Sequence, residues 1–175
     1  MREVAEIVAR LAELERRVFG MMRHGTVAQV DAGKGLVRIK AGEGPDGDFL
    51  GPWVPYAQTA GGLKVHTPPT VGQQMTMMAP GGDWRQGVAI PFTWSDNEAA
   101  PSGAADENVL TYGDATIRLK GGSLEVVFGS VTFKVSNGGV DITGGHVRHN
   151  GKSIGAGHVH GQVMPGGGLS GPPAN

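Results

Sequence analysis

The sequence VLTYGDATIRLKGGSLEVVFGSVTFKVSNGGVDIT, residues 109–143, decides the fold that we predict for the second half of this 175-residue chain. Short apolar and alternating runs recur in it about every 6–9 residues, separated by turn pairs such as Gly121 with Gly122 and Asn137 with Gly138. With the residues that follow, the runs predict strands at 109–112, 116–119, 124–128, 131–135, 139–142 and 146–149.

Repeating units as small as these cannot enclose a hydrophobic core within one chain. Burial therefore needs neighbours, and several identical chains wound around a common axis would supply them. The pattern predicts a β-helix of several intertwined chains over residues 109–150. An ordinary antiparallel meander remains the alternative on periodicity alone.

The sequence before this repeat indicates a small antiparallel β domain over residues 22–95. Residues 25–31 and 36–40 flank a turn at 31–35, which predicts a β-hairpin. Further strands are predicted at 49–55, 74–79 and 87–91. Five short strands with one long connection are typical of an OB-type Greek-key barrel, although an SH3-like barrel would show much the same pattern.

Residues 1–21 predict one helix with a heptad stripe. Apolar residues alternate at spacings of three and four, at Val4, Ile7, Leu11, Leu14, Val18 and Met21. The pairs Glu6 with Arg10 and Glu13 with Arg17 have the favourable i,i+4 spacing. An isolated helix of this length is marginal in water. The stripe therefore packs on its own domain, forms a short parallel coiled coil, or docks on a partner.

Two further segments complete the predicted organisation. Residues 96–108 are small, polar and acidic and indicate a linker, and residues 151–175 are rich in glycine and proline and are predicted to form the apex of the β-helix. The predicted fold class is mainly β, with a short N-terminal helix, an OB-fold barrel and an intertwined trimeric β-helix that ends in a metal-binding apex.

The composition excludes several classes of protein. A formal net charge of -1 argues against a sequence-independent nucleic-acid binder. The chain has 31 glycines, without the period that collagen requires. Cysteine is absent, so neither disulfides nor cysteine metal sites can form. We expect no transmembrane helix, because no long apolar run exists, and no signal peptide, because the N-terminus carries acids.

The candidate metal ligands are His158 and His160. In an extended segment residues i and i+2 project to the same face, although a pair of surface histidines without a metal would have the same sequence. A mononuclear iron oxygenase needs two histidines and a carboxylate, and residues 161–175 contain no acid. Three chains would instead supply six imidazoles, a structural site that suits iron(II) or another octahedral divalent ion better than zinc.

The other histidines are His24, His66, His146 and His149, and we predict surface or packing roles for all four. We find no nucleophile triad or paired carboxylates, so no enzymatic activity is predicted, and a hydrolase or oxygenase using His158 and His160 is the enzyme-class alternative.

The alternative function is an OB-fold module that binds an oligonucleotide or a glycan and oligomerises through its β-rich tail. An oligonucleotide would recruit residues of the barrel: Trp53, Tyr56, Lys34, Arg38 and Lys40. Packing roles are favoured for these residues, because nearby acids such as Asp31 and Glu43 cancel the local charge.

Several blocks of the sequence, in their order, resemble a known family. Residues 25–31, 53–55, 60–62, 68–73 and 79–88 are similar to the barrel of phage baseplate assembly protein V, the central spike protein of contractile-tailed phages and R-type tailocins. Residues 150–155, followed by His158 to Gly161 and a terminus rich in glycine and proline, resemble the spike tip of that family.

The resemblance implies a homotrimer that forms the membrane-piercing spike at the tip of the tail tube. It implies baseplate hub and tail tube proteins as partners, the bacterial outer membrane as target, and no nucleic acid. One iron ion per trimer would be held by His158 and His160 of three chains; calcium or chloride can also occur in such tips, without ligands that we can assign here. The protein would be a virion component made in the host cytoplasm.

Overall fold

The computed structural model describes residues 1–155, 158 and 166. It divides the chain into two compact units, Met1–Ala100 and Pro101–Asn175. Strands dominate both units and one long helix stands at the N-terminus, so the prediction of a mainly β chain with an N-terminal helix is confirmed. Within the described residues, no helix combines the length and apolarity that crossing a membrane requires.

The first unit begins with helix α1, Arg2–Met21. The helix ends where the backbone of Met22 becomes extended, and the chain continues directly into the first strand. No residue of α1 is buried. The apolar stripe that the sequence predicts is therefore not buried within its own unit.

Six strands follow α1 in the first unit. They are β1 (Met22–Asp31), β2 (Leu36–Gly44), β3 (Gly47–Leu50), β4 (Val54–Pro55), β5 (Gln74–Met78) and β6 (Val88–Pro91). The predicted hairpin is confirmed, because β1 and β2 pair antiparallel from Asp31 opposite Leu36. The predicted strand at 49–55 is two shorter strands, β3 and β4, which both pair with β2.

The strand order distinguishes the two barrel types that the sequence leaves open. The order is β3-β2-β1-β5-β6, with β4 also on β2. A parallel bridge from Tyr56 to Ala89 links the end of β4 to β6, and the Ala57 amide donates a hydrogen bond to the Ala89 carbonyl over 2.8 Å. Parallel closure of the barrel between β4 and the last strand, β6, is typical of an OB-type barrel.

The core of the first unit follows the alternation of its strands. Apolar side chains at every second position of β2 and β5 point into the barrel. The buried cluster is Val27, Val37, Ile39, Val54, Tyr56, Met75, Met77 and Ala89, with Val30 and Trp84 packed against it. A short 3-10 turn, Trp84–Gln86, carries Trp84 to this cluster and is capped by the Asp83 side chain.

The second unit is an antiparallel meander. Its strands are β7 (Glu107–Tyr112), β8 (Ala115–Lys120), β9 (Ser123–Phe128), β10 (Val131–Ser136) and β11 (Gly139–Thr143), each paired with the next. A small ribbon follows, β12 (Arg148–His149) with β13 (Lys152–Ser153), so the predicted strand at 146–149 is reduced to its last two residues. The single chain thus forms an antiparallel meander, which was the alternative on periodicity alone. The intertwining of several chains stays a prediction.

Candidate functional site

The register of the second unit puts apolar side chains on one face of the five-stranded sheet. Leu110, Ile117, Val126, Phe133 and Ile142 stand directly opposite one another across β7 to β11. Residues two positions away on each strand project to the same side and extend this surface. We call it the apolar sheet face. Its large residues are Leu110, Tyr112, Ile117, Leu119, Leu124, Val126, Phe128, Val131, Phe133, Val135, Val140 and Ile142.

The apolar sheet face is exposed in a single chain. Leu110 and Phe128 are each 67% exposed and Tyr112 is 90% exposed. None of the residues described between 101 and 155 is buried, so this part of the chain has no core of its own. A contiguous apolar surface of this kind marks an interaction site.

The opposite face of the same sheet is polar and carries a ladder of ion pairs. Glu125 on β9 lies 2.9 Å from Lys134 on β10 and 3.7 Å from Arg118 on β8, measured between carboxylate oxygens and side-chain nitrogens. Arg118 also lies 3.2 Å from Glu107 on β7. The hydrogen bond from Lys134 lowers the pKa of Glu125. This face suits contact with water, and the sheet is therefore amphipathic.

Helix α1 carries a second exposed apolar surface, which we call the heptad stripe: Val4, Ile7, Leu11, Leu14, Val18 and Met21. Glu13 beside it forms hydrogen bonds with Arg16 and Arg17, which lower the pKa of Glu13 to about 2. The predicted pair Glu13 with Arg17 is confirmed at 2.7 Å.

Glu6 and Arg10 have the favourable spacing but do not form an ion pair in the described part of the chain. Glu6 lies 3.6 Å from Arg2 instead. Arg2 and Arg10 are both four positions from Glu6, and an exposed pair at this spacing contributes only a few tenths of a kcal/mol. Spacing alone therefore does not select between the two arginines.

The last turn of α1 is fastened to the barrel by contacts that the sequence analysis missed. Trp84 Nε1 donates a hydrogen bond to the Gly20 carbonyl over 3.0 Å, and the Ala79 amide donates to the Met21 carbonyl over 2.8 Å. The backbones of Gly20 and Gly82 touch: a Cβ at Gly20 would lie 2.8 Å from the Gly82 oxygen, and one at Gly82 would lie 2.7 Å from the Arg17 oxygen. The sequence marks this place, because Gly81 and Gly82 precede Asp83 and Trp84. That pattern predicts a turn but not a contact with the helix.

Of the two predicted metal ligands, His158 is exposed, and His160 lies outside the described residues. The Nδ1 atom of His158 is 2.8 Å from the Gly155 carbonyl oxygen. Metal-binding histidines commonly donate one ring N–H to a backbone carbonyl, which orients the ring and leaves the other nitrogen as the ligand atom. The arrangement at His158 fits that role. No cluster of three or more potential metal-binding side chains occurs among residues 1–155, 158 and 166.

His24, for which a surface or packing role is predicted, is exposed and contacts two neighbouring side chains. Its ring stacks on Phe92 with centroids 4.0 Å apart, and its Nδ1 is 2.8 Å from Thr76 Oγ1. His66, His146 and His149 are exposed.

The positive side chains of the barrel have partners nearby. Lys34 lies 3.1 Å from Asp31, Lys40 lies 2.6 Å from Glu43, and Arg38 Nε donates to the Gly51 carbonyl over 3.0 Å. Of the aromatic residues considered for base stacking, Tyr56 is in the core, and Trp53 is 44% exposed. The local charge is balanced as the sequence predicts, which does not favour an oligonucleotide surface.

Similarity to known proteins agrees with this architecture. Residues 23–94 match the family model of the type VI secretion system/phage-baseplate injector OB domain. The spike protein of Escherichia phage P2 is 28% identical over 110 residues, which are 63% of this chain and 50% of that protein. The chain thus spans about half the length of this relative. The predicted resemblance to the baseplate protein V and spike family is confirmed.

Proposed function

We propose that three copies of this chain form the central spike of a phage-type contractile baseplate. The observation that carries the proposal is the apolar sheet face, because residues 101–155 of a single chain contain no buried residue. The similarity to a phage spike protein supports a structural role rather than a catalytic one.

Assembly around a common axis would bury this face. In a three-sided arrangement the row through Ile117, Val126 and Phe133 turns inward, and the ladder of Glu125, Arg118 and Lys134 turns outward. Burial of a large apolar side chain is worth about 1.5–3 kcal/mol, so the row alone supplies a strong driving force. The outer strands β7 and β11 would also find partners in neighbouring chains, which removes free sheet edges.

A narrow interwound β-prism suits mechanical work. Its backbone hydrogen bonds link chains to one another, so force applied along the shaft is shared by the whole assembly. We infer that the spike leads the tail tube through the bacterial outer membrane when the sheath contracts, and that hub and tail tube proteins of the baseplate are its partners. The protein would be located in the virion.

His158 and His160 of three chains would hold one structural metal ion, which we take to be iron. Six imidazole nitrogens satisfy an octahedral ion without a position for water. The contact of His158 Nδ1 with the Gly155 carbonyl supports the assignment, because it would direct Nε2 of the ring to the metal. A metal here would fasten together chain ends that otherwise fray.

The mass of the assembly in native solution tests the proposal. The chain has a mass of 18.1 kDa, and we expect a single species of three times that mass. A monomer at working concentration would overturn the proposal. Iron measured in the same sample should follow the trimer, and the double variant His158→Ala, His160→Ala should lose the iron while it keeps the trimer. Iron retained by that variant would refute the assignment of ligands.

A further inference from the structure

The heptad stripe of α1 is a second self-association surface, separate from the apolar sheet face. Val4 and Val18 are each 63% exposed and Leu11 is 55% exposed, and the helix buries none of its residues in its own unit. An apolar helix face of this extent in water needs an occupant. Three features of the helix and its anchor identify the occupant.

The first feature is the choice of apolar residues in the heptad. Taking Val4, Leu11 and Val18 as position a puts Ile7, Leu14 and Met21 at position d. Val at position a in two of the three heptads is compatible with two strands, whereas Leu11 at a beside Ile7 at d favours three or four. The number of helices therefore follows from the proposed trimer. Val8 at position e widens the stripe beyond a two-stranded seam and is itself 58% exposed.

The second feature is the charge beside the stripe. In this register Arg10 is at position g and Glu15 at position e. Ion pairs within the helix engage Arg2 with Glu6, and Glu13 with Arg16 and Arg17. In the part of the chain that the structure describes, no ion pair is formed by Arg10 or Glu15.

A parallel coiled coil would bring together the side chains of Arg10 and Glu15 from different copies. In parallel helices, position g of one chain faces position e of the next heptad in its neighbour, so Arg10 of one copy meets Glu15 of another. In antiparallel helices, position g of one chain would face position g of its neighbour. Arg10 of one copy would then lie opposite Arg17 of another, and their like charges would repel. The charges therefore favour parallel copies in register.

The third feature is the anchor at the last turn of the helix. The close contact of Gly20 with Gly82 and the hydrogen bond from Trp84 to the Gly20 carbonyl hold the end of α1 on the barrel. The rest of the helix lies free of the barrel. Such an anchor gives each copy the same helix direction, as parallel pairing requires.

We propose that α1 of each chain packs with α1 of two other copies as a parallel three-helix coiled coil, with Arg10 of one copy paired with Glu15 of the next. This rests on the proposed trimer and adds a second interface to it. About three heptads over a length of about 30 Å are too short to hold a trimer alone. The helices therefore fix register and direction in an assembly that the sheets hold together.

Site-directed crosslinking tests this inference, because the natural chain has no cysteine. Leu11→Cys places a thiol at position a of every copy, and Ala9→Cys places one at position f, on the outer side, as the matched control. Both native side chains are exposed in a single chain, so neither change disturbs the packing within that chain. Under mild oxidation of the full chain we expect rapid disulfide dimers from the Leu11 variant and slow ones from the Ala9 variant. One chain in each trimer stays unlinked at completion.

A charge exchange in the Leu11→Cys background tests register. Arg10→Glu or Glu15→Arg alone should slow crosslinking about fivefold to tenfold, because each like-charge pair recurs three times around the assembly. The double exchange should restore the rate. Single changes without effect, or a double change without rescue, would overturn the pairing.

The native mass of the same samples separates this inference from the proposed function. A trimer in which Leu11→Cys does not crosslink, or crosslinks no faster than Ala9→Cys, would overturn the coiled coil and leave the spike proposal standing. A monomeric chain would overturn both.

Discussion

At the scale of single residues, Trp84 joins helix to barrel. Its ring packs against the core and lies edge-on to Phe49 at 5.8 Å, while its Nε1 donates to the Gly20 carbonyl. No other aromatic side chain has both the size and the donor for this position. The sequence predicted the helix and the barrel but not this joint, because the contact spans 64 residues and depends on how closely two glycine backbones approach.

Trp84→Phe should therefore weaken the joint while keeping most of the packing. We expect the free energy of unfolding of the first unit to fall by about 1 kcal/mol or somewhat more, because the Gly20 carbonyl loses its partner and the smaller ring fills less space. Urea titration at fixed protein concentration measures the change. Trp94→Phe is the matched control: Trp94 is 65% exposed, and its replacement should stay within about 0.5 kcal/mol. Equal effects of the two variants would contradict the assigned role.

At the scale of elements, the sequence predicted well wherever periodicity alone determines the element. The stripe of Val4 to Met21 predicted α1, and the alternation in residues 109–143 predicted all five strands of the meander. Periodicity did not predict features that depend on which residues or strands pair. The strand predicted at 49–55 divides because both parts must reach β2, and Glu6 pairs with Arg2 instead of Arg10. The proposed metal site at His158 and His160 would need a neighbouring chain, which no periodicity within one chain describes.

The ion pairs of α1 predict a dependence on pH. Arg16, and then Arg17, lower the pKa of Glu13 from an ordinary value of 4.5 to about 2. A carboxyl group whose pKa is lower in the folded state stabilises that state fully above its ordinary pKa, and the effect is lost as the pH falls through the folded value. The helix content gained from Glu13 should therefore be constant above about pH 4.5 and decline towards pH 2.

Circular dichroism measures the helix content of the full chain and of the variant Glu13→Gln over this pH range. The glutamine carries no charge that a lower pH could remove. The difference in helix signal between the two proteins should shrink over that pH range, and high salt should reduce it at neutral pH, because these side chains are exposed. A difference that does not change with pH would show that Glu13 acts through packing or helix propensity instead of charge.

At the scale of the whole molecule, the two units differ in the interactions that stabilise each of them internally. Every buried residue among those described belongs to the first unit, with Val37, Met77 and Ala89 fully enclosed. The second unit has hydrogen-bonded strands and one apolar face but no enclosed residue in its described part. The first unit thus has the core it needs to fold by itself, and in the proposed trimer the second would obtain its core from other copies. This division follows from the sequence: the short repeats after residue 108 are too small for a core of their own.

One pair of substitutions at neighbouring positions of β10 tests this dependence. Phe133→Lys puts a charge on the apolar sheet face, and Thr132→Lys puts the same charge on the opposite face. We expect the first variant to be monomeric and the second to remain trimeric in native mass measurement, because a charge in an apolar interface costs several kcal/mol. In hydrogen exchange, the amides of β8, β9 and β10 should lose protection in Phe133→Lys, while those of β1, β2 and β5 keep theirs as an internal reference. Strands of the second unit that stay protected in a monomeric variant would show that the sheet is stable alone and does not depend on other copies.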